Sequence, residues 1–157
     1  MNWIREQFTF NDLQRLLFRL AEHVKAFQGL TPAEIAELLG GAEKCSFRPG
    51  ATIVREGSAG KHMYVILHGD ARVMKSGANG DVELARLGAT DSFGEMSLAD
   101  NEARSASVVA DGECVLVRLS DQVMRSRPDI GVKVYRNIAR VLSSRLRAAD
   151  ELLVWRL

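Results

Sequence analysis

The stretch ATIVREGSAGKHMYVILHGDARVM, residues 51–74, decides the fold. It holds three short apolar runs, ATIV, MYVIL and ARVM, and a glycine-containing segment separates each run from the next. Runs this short, bounded by glycine, are typical of β-strands rather than of helices. The segment therefore predicts strand, turn and strand in succession.

The same pattern extends on both sides, from Cys45 to about Leu119. SGANG, VELARL and GATDS follow the first stretch, and ASVVA and CVLVRL come later, joined by Asp111 and Gly112, a pair typical of a tight turn. No helix-length segment separates the earlier runs. This pattern favours an antiparallel sandwich or barrel over alternating strand and helix units.

Helical patterns flank the strands, so the predicted fold class is α+β. Before the strands, leucines from Leu13 to Leu20 recur at three- and four-residue steps and predict an entry helix, with Asn11 and Gln14 as its capping pair. Thr31, Pro32 and Glu34 predict the start of a second, short helix. After the strands, Ser120 or Asp121 is predicted to cap another short helix, and Pro128 to open a long final helix.

The final helix has unequal faces. An apolar stripe and a basic stripe are predicted, the first from Val134, Ile138, Val141, Leu142, Ala149 and Leu152, the second from Lys133, Arg136, Arg140 and Arg147. Arg145 falls inside the apolar stripe. The basic stripe is interpreted as a solvated face, with docking to an acidic partner or a membrane surface as the alternative. Leu152, Leu153 and Trp155 predict either packing on the entry helix or a helix-to-helix dimer.

Composition indicates one globular domain. The chain has 157 residues, 46% of them hydrophobic and 26% charged, with a formal net charge of +1, which excludes disordered and strongly basic nucleic-acid-binding classes. We expect a cytoplasmic location, because no leader pattern or bilayer-length apolar stretch is present. Cys45 and Cys114 have no Cys or His at ligand spacing, so we expect buried free thiols and no metal site.

The connection FGEMSLADNEARSAS, residues 93–107, carries the chemistry. Gly94 allows close backbone approach, and the residues after Glu95 suffice for about one helical turn, whose first N–H groups can receive an anion. Arg104 supplies a charged planar fork that suits phosphate oxygens, and Ser105 adds a hydroxyl. Glu95 would repel a phosphate, so we expect it to accept a hydrogen bond from a ribose hydroxyl. The loop predicts a site for a small nucleotide.

FGEMSL followed by ARSASVVA resembles the phosphate-binding cassette of the cyclic nucleotide-binding domain family, which includes the catabolite activator protein, the regulatory subunit of protein kinase A and cyclic-nucleotide-gated channels. Gly50, Gly57 and Gly69 match the turn glycines of that family, and the resemblance covers roughly residues 24–150. It implies an antiparallel, jelly-roll-like β-roll flanked by N-terminal helices and a long C-terminal lid helix. Residues 1–23 would form the entry region and residues 24–157 the binding domain.

The resemblance also implies residue roles. Glu95 would bind the ribose 2′-hydroxyl and Arg104 the cyclic phosphate. The remaining contacts would come from the backbone of Gly94, Met96 and Ser97 and from Ser105 and Ala106 along the phosphate and base. Val141 stands where several channel relatives place a base-capping arginine, and we expect Arg145 to take over that role. Ser105 is compatible with cAMP and with cGMP.

The function expected from this resemblance is a stand-alone cyclic nucleotide sensor, most simply for cAMP, that relays binding through the final helix to an unidentified effector protein or a homodimer. DNA binding is not expected, because the sequence stops at Leu157, where transcription-factor relatives begin a helix-turn-helix. No cofactor is expected, and no catalytic constellation supports an enzyme. The alternatives are a nucleotide-independent interaction module on the same fold and a regulatory piece of a channel or transporter.

Overall fold

The structure is a computed structural model and describes Trp3 and residues 7–156. Five helices and one turn of 3₁₀ helix are described: α1 (Phe10–His23), the 3₁₀ turn (Lys25–Phe27), α2 (Pro32–Gly41), α3 (Glu95–Asp100), α4 (Asp121–Ser126) and α5 (Pro128–Val154). The described strands are β1 (Glu43–Phe47), β2 (Thr52–Val54), β3 (His62–His68), β4 (Ala71–Gly77), β5 (Gly80–Leu87), β6 (Ser92–Phe93), β7 (Ser107–Ala110) and β8 (Cys114–Ser120).

The strands form two four-stranded antiparallel sheets, in the orders β1-β8-β3-β6 and β2-β7-β4-β5. Both sheets contribute side chains to one shared cluster inside the roll, which includes Ile53, Ile66, Val108 and Leu116. The predicted α+β class and the β-roll flanked by helices are confirmed. The roll consists of two facing sheets, which do not close into a barrel within the described residues.

Strand β3 is buried on both faces. Met63, Val65 and Leu67 pack in a cluster formed mainly by helices, whereas Tyr64 and Ile66 point into the roll. This arrangement explains why MYVIL is a continuous apolar run without the usual alternation of apolar and polar residues. The strand separates the two hydrophobic clusters.

The two predicted helix caps had different outcomes. The capping box of α2 is confirmed, since the Glu34 amide donates to the Thr31 hydroxyl over 3.2 Å and the Thr31 amide donates to the Glu34 carboxylate over 2.9 Å. The prediction of Asn11 as the cap of α1 was wrong. Thr9 is the N-cap, and its hydroxyl accepts from the Asp12 amide over 3.2 Å. Thr9 is also a favourable capping residue with an acidic residue three positions later, and the helix begins two residues earlier than predicted.

The Asp111–Gly112 turn is present, and Gly112 has a left-handed φ of +108°. It does not form a hairpin, because β7 pairs with β2 and β4 while β8 pairs with β1 and β3. The turn carries the chain from one sheet to the other.

The final helix is buried only in its first half. Ile130, Val134 and Ile138 lie in the helical cluster, but Ala149 and Leu152 of the predicted apolar stripe are exposed. Leu152, Leu153 and Trp155 are 67%, 61% and 88% exposed, so the predicted packing on the entry helix was wrong. The helix-to-helix dimer stays a prediction.

The two thiols also differ from one another. Cys114 is buried inside the roll as expected, whereas Cys45 on β1 is only half-buried, and burial raises the pKa of both thiols. Among the described residues, no helix is both long and apolar enough to cross a bilayer. The proposed boundary near residue 23 stays a prediction, although Leu16, Leu17 and Leu20 of α1 share a cluster with the strands that follow.

Candidate functional site

A cavity of about 350 Å³ lies between the second sheet, α3 and α5. Its volume is in the range of pockets that hold small ligands. The structure brings together at this cavity all the residues that the sequence predicted for the site: Gly94, Glu95, Met96, Ser97, Arg104, Ser105, Ala106 and Arg145. Their individual binding roles stay predictions.

Gly94 connects β6 to α3 and occupies a conformation that favours glycine. Its φ of +78° and ψ of 12° are left-handed, and a Cβ there would lie 2.5 Å from Arg104 Nη1 and 2.9 Å from the His62 carbonyl oxygen. In the sequence, this glycine is predicted to let a ligand approach the backbone. The structure adds a second task, because Gly94 also leaves room for the arginine.

The Arg104 guanidinium is buried and held by neutral groups. The residue is 7% exposed. Its Nη2 donates to the His62 carbonyl over 2.8 Å and its Nη1 to the Gly94 carbonyl over 3.3 Å. The guanidinium carbon lies 5.8 Å from the centroid of the Tyr64 ring, which stacks on Phe93 at 5.0 Å. These aromatic rings support the guanidinium from within the roll.

Within the part of the chain that the structure describes, the charge of Arg104 has no direct counter-ion. No carboxylate of the described residues lies within 4.0 Å of its nitrogens. Burial lowers the pKa of Arg104, while electrostatic interactions with Tyr64 and Glu95 oppose that effect, and an arginine side chain stays protonated in proteins. A buried cation without an anionic partner is unfavourable until an anion binds beside it.

Glu95 is buried at the start of α3, with 3% of its surface exposed. Its Oε1 accepts from the Ser92 hydroxyl over 2.7 Å, and its Oε2 lies 3.8 Å from Arg145 Nη1. Sequence reasoning missed Ser92. Ser92 and Glu95 have the Ser-x-x-Glu spacing of a capping box, and this spacing could have indicated that the two side chains interact. Here, however, the Ser92 hydroxyl donates to the Glu95 carboxylate, and Gly94 is the N-cap of α3.

Arg145 reaches the cavity from α5. Its side chain is 59% exposed, so its interaction with the Glu95 carboxylate is screened by water. Val141, one turn earlier on the same helix, does not line this cavity and lies instead along a separate cleft beside the 3₁₀ turn. Arg145 is therefore the α5 cation that the fold places at the site.

The short helix α3 has fewer free backbone N–H groups for an anion than the sequence predicted. The Ser97 amide donates to the Gly94 carbonyl over 3.2 Å, so it is already engaged within the turn. Ser97 is buried, whereas Met96 is 51% exposed at the cavity edge. Ser105 is exposed and Ala106 is half-buried beside it.

An apolar wall faces the polar groups across the cavity. It is formed by side chains of β2, β4, β5 and β7: Val54, Val73, Ala85, Leu87 and Val108. These residues could not be assigned to the site from the sequence, because they lie on four separate strands and only the packing of the roll brings them together. An apolar wall opposite a cation and a carboxylate suits a ligand with a flat apolar part and a charged part.

Most of this chain is similar to known proteins. Residues 44–127 match the family model described as cyclic nucleotide-binding domain. The chain is 30% identical over 125 residues to the cAMP-dependent protein kinase regulatory subunit of Aspergillus fumigatus, covering 74% of this chain and 30% of that protein. It is 34% identical over 129 residues to the cyclic AMP receptor protein of Thermus thermophilus, covering 79% of this chain and 58% of that protein.

Solved structures show the same architecture. The catabolite activator protein of Thermus thermophilus superposes with a TM-score of 0.75 at 33% identity, covering 83% of this chain and 62% of that one. A cyclic nucleotide-binding domain from Methylobacillus flagellatus gives 0.76 at 25% identity, covering 92% and 84%.

This chain thus spans about a third to three fifths of the length of the two curated relatives described above. The match to the family model extends from β1 to Arg127, over the whole roll and the cassette. The chain belongs to the cyclic nucleotide-binding domain family.

Proposed function

We propose that this chain is a cyclic nucleotide sensor that binds cAMP, without catalysing a reaction. The observation that carries the proposal is the buried Arg104 guanidinium, whose hydrogen-bond partners among the described residues are carbonyl oxygens and which faces a cavity of about 350 Å³. A cyclic phosphate diester bears one negative charge and two free oxygens, so it complements this fork. Two relatives whose names refer to cAMP support the choice of ligand.

The carboxylate of Glu95 would bind the ribose. It is buried, and its Oε1 already accepts from Ser92, which leaves Oε2 to accept from the ribose 2′-hydroxyl. The contact of Oε2 with Arg145 at 3.8 Å is longer than a hydrogen bond, so a ribose hydroxyl that donates to this buried carboxylate would add a direct hydrogen bond. The backbone of Gly94, Met96 and Ser97, together with Ser105 and Ala106, would complete the contacts with the phosphate and base.

Titration of the whole chain with cAMP and with cGMP tests this proposal. The protein is first unfolded, dialysed and refolded, so that any ligand carried over from expression is removed. We expect saturable heat with cAMP in isothermal titration calorimetry, and weaker binding of the open-ring 5′-AMP, which carries a different charge and shape. A folded sample that takes up neither cyclic nucleotide would overturn the proposal.

The exposed half of α5 is proposed to act as a lid that Arg145 couples to the ligand. Only the first half of the helix is buried. The second half, which carries Arg145, does not pack against the core that holds the first half in place. A ligand shifts the position of such an element by its differential affinity for the two positions, with coupling of about 1–3 kcal/mol.

Replacing Arg145 by alanine is expected to weaken cAMP binding by about two- to fivefold, because interactions of exposed charges are screened. Fluorescence competition with a labelled cAMP analogue measures the loss, and repeating it with cGMP measures any change in preference. Arg147→Ala is the matched control, since it removes the same charge from the same helix outside the cavity. Unchanged affinity and unchanged preference in R145A would show that Arg145 does not cap the base.

A second copy of this chain is proposed as one partner. Next to the buried face, α5 carries an apolar seam at alternating three- and four-residue steps, formed by Val132, Tyr135, Ala139, Leu142, Leu146, Ala149 and Leu153. Tyr135 and Leu142 are partly buried against the helical cluster, and the other five residues are exposed. This is the spacing of a coiled coil. Arg145 and Asp150 flank the seam on opposite sides, so in a parallel pair Arg145 would face the partner's Asp150. Arg145 would then lie at both the ligand cavity and the dimer interface.

Leu146→Glu tests the dimer. Leu146 is 64% exposed in the middle of the seam, and a carboxylate there would be buried against its symmetry mate, which strongly disfavours association. We expect the unmodified chain to sediment as a dimer and L146E as a monomer, whereas Arg147→Glu, one position off the seam, should stay dimeric. A monomeric unmodified chain at high concentration, with and without cAMP, would contradict the seam.

The exposed apolar end of α5 also favours one alternative, a nucleotide-independent interaction module. In that case the partner would bind equally well with and without cAMP. An effector whose affinity changes with cAMP would instead support the sensor.

A further inference from the structure

The connection between β2 and β3, residues 55–61, lies outside the cassette yet pairs with it. The Arg104 amide donates to the Ser58 carbonyl over 2.9 Å, and the Gly57 amide donates to the Arg104 carbonyl over 2.8 Å. Ala59 and Ala103 form an antiparallel bridge next to these two bonds. The backbone of Arg104 is therefore fixed by a loop about 45 residues earlier in the chain.

Gly60 in this connection is packed directly against the Arg104 side chain. A Cβ at Gly60 would lie 2.1 Å from Nε, 2.3 Å from Cζ and 2.5 Å from Nη2. The φ of Gly60 is not in the left-handed region, unlike that of its neighbour Gly57 at +78°. Space, and not backbone conformation, therefore requires glycine at this position.

The guanidinium is confined from two sides. Gly60 packs against Nε and Nη2, and Gly94 packs against Nη1, where a Cβ would lie 2.5 Å away. The carbonyls of His62 and Gly94 then fix the plane of the fork. A methyl group at Gly60 would require the arginine to leave this slot, because the slot is bounded mostly by backbone and aromatic rings that move little.

We propose that Gly60 is a positioning residue for ligand binding: it keeps open the slot in which the Arg104 guanidinium presents its charge to the cavity. Gly60 itself does not line the cavity. This inference rests on the proposed function, in which Arg104 binds the cyclic phosphate. It assigns part of the phosphate site to a loop that the cassette sequence does not contain.

The binding test uses Gly60→Ala in the whole chain. We expect cAMP affinity to fall by about tenfold or more, because the displaced fork loses at least one charge-assisted hydrogen bond. In an Arg104→Ala background the same change should have almost no further effect, since the group that it displaces is already gone. Gly88→Ala is the matched control: its φ is also ordinary, and its Cβ would meet only the Asp70 carboxylate oxygen, at 3.2 Å. Equal losses in both backgrounds would overturn the inference.

Stability separates displacement of Arg104 from general misfolding. Gly60→Ala should lower the midpoint of thermal unfolding when Arg104 is present and have little effect when Arg104 is alanine. If G60A lowers the midpoint equally in both backgrounds, the clash is not with Arg104 and the inference is wrong.

A measurement without ligand keeps this inference distinct from the proposed function. In the protein labelled with ¹⁵N arginine, the Nε–H resonance of Arg104, identified by its loss in R104A, should be protected from exchange and should shift and lose protection in G60A. If the unmodified chain binds no cyclic nucleotide, the proposed function fails, while this resonance still decides the role of Gly60. If cAMP binds but the resonance is unchanged in G60A, only the role of Gly60 is refuted.

Discussion

Replacing Arg104 by alanine is expected to weaken cAMP binding by about 100-fold, the largest effect on affinity that the site predicts. The buried guanidinium has no carboxylate partner within 4.0 Å among the described residues, so an incoming phosphate would be its first anionic partner. Without the Arg104 guanidinium, a bound phosphate would be desolvated and would lack its cationic partner. Calorimetric titration of the variant against the unmodified chain measures the loss.

Two further variants sharpen this result. Arg104→Lys keeps the charge but loses the planar fork, so its affinity should lie between those of the unmodified chain and R104A. Arg86→Ala removes an exposed arginine that is paired with Glu83 and Asp111 away from the cavity, and it should bind cAMP normally. Binding within twofold of normal in R104A would refute the assignment of the phosphate to this residue.

Replacing Asn137 by leucine is expected to lower the free energy of unfolding by about 2–3 kcal/mol, because it leaves two carbonyl oxygens without a donor. Asn137 is 4% exposed, and its Nδ2 donates to the Ala26 carbonyl over 3.0 Å and to the Gln28 carbonyl over 2.7 Å. These bonds hold α5 on the 3₁₀ turn. Leucine has the same branched skeleton of four side-chain heavy atoms but no donor, so the loss reports chiefly on the hydrogen bonds.

Urea unfolding followed by far-ultraviolet circular dichroism measures this effect. Asn11→Leu is the control, because it makes the same change at an exposed position of α1 and should alter stability by only a few tenths of a kcal/mol. We also expect Arg145→Ala to reduce cAMP affinity less in N137L than in the unmodified chain. In N137L the first half of α5 is held less firmly, so the Arg145 side chain is positioned less well over the cavity. A stability equal to that of N11L would mean that the two carbonyls find other donors.

Local sequence signals predicted the elements of this fold well. The glycine-bounded runs became strands, and Thr31 with Glu34 became a capping box. Both are short-range features that neighbouring residues determine. The N-cap of α1 was predicted wrongly because Thr9 and Asn11 lie two positions apart and both residue types favour N-cap positions.

Long-range features were predicted less well. Asp111 and Gly112 have the composition of a hairpin turn, but the strands on either side pair with partners far away in the sequence. The exposed second half of α5 was also missed. Apolar periodicity reports which residues share a helix face, but it does not report whether the rest of the chain reaches that face.

For the candidate site, the sequence identified the residues of one continuous loop and Arg145. It missed Ser92, whose bond to Glu95 has a recognisable spacing, and it missed Gly60, which has no local signal. A glycine that is required only by the space taken up by a distant side chain looks, in one sequence, like any loop glycine.

The burial of β3 on both faces affects how the pairing register of this strand is maintained. Slippage by one residue would exchange one set of large apolar side chains for another, so burial alone gives little protection against it. Gly69, directly after the strand, provides a steric stop: a Cβ there would lie 2.1 Å from the Glu113 carbonyl oxygen. This close crossing of two backbones pins the end of the strand, and thereby keeps the His62 carbonyl at the level of the arginine that it orients.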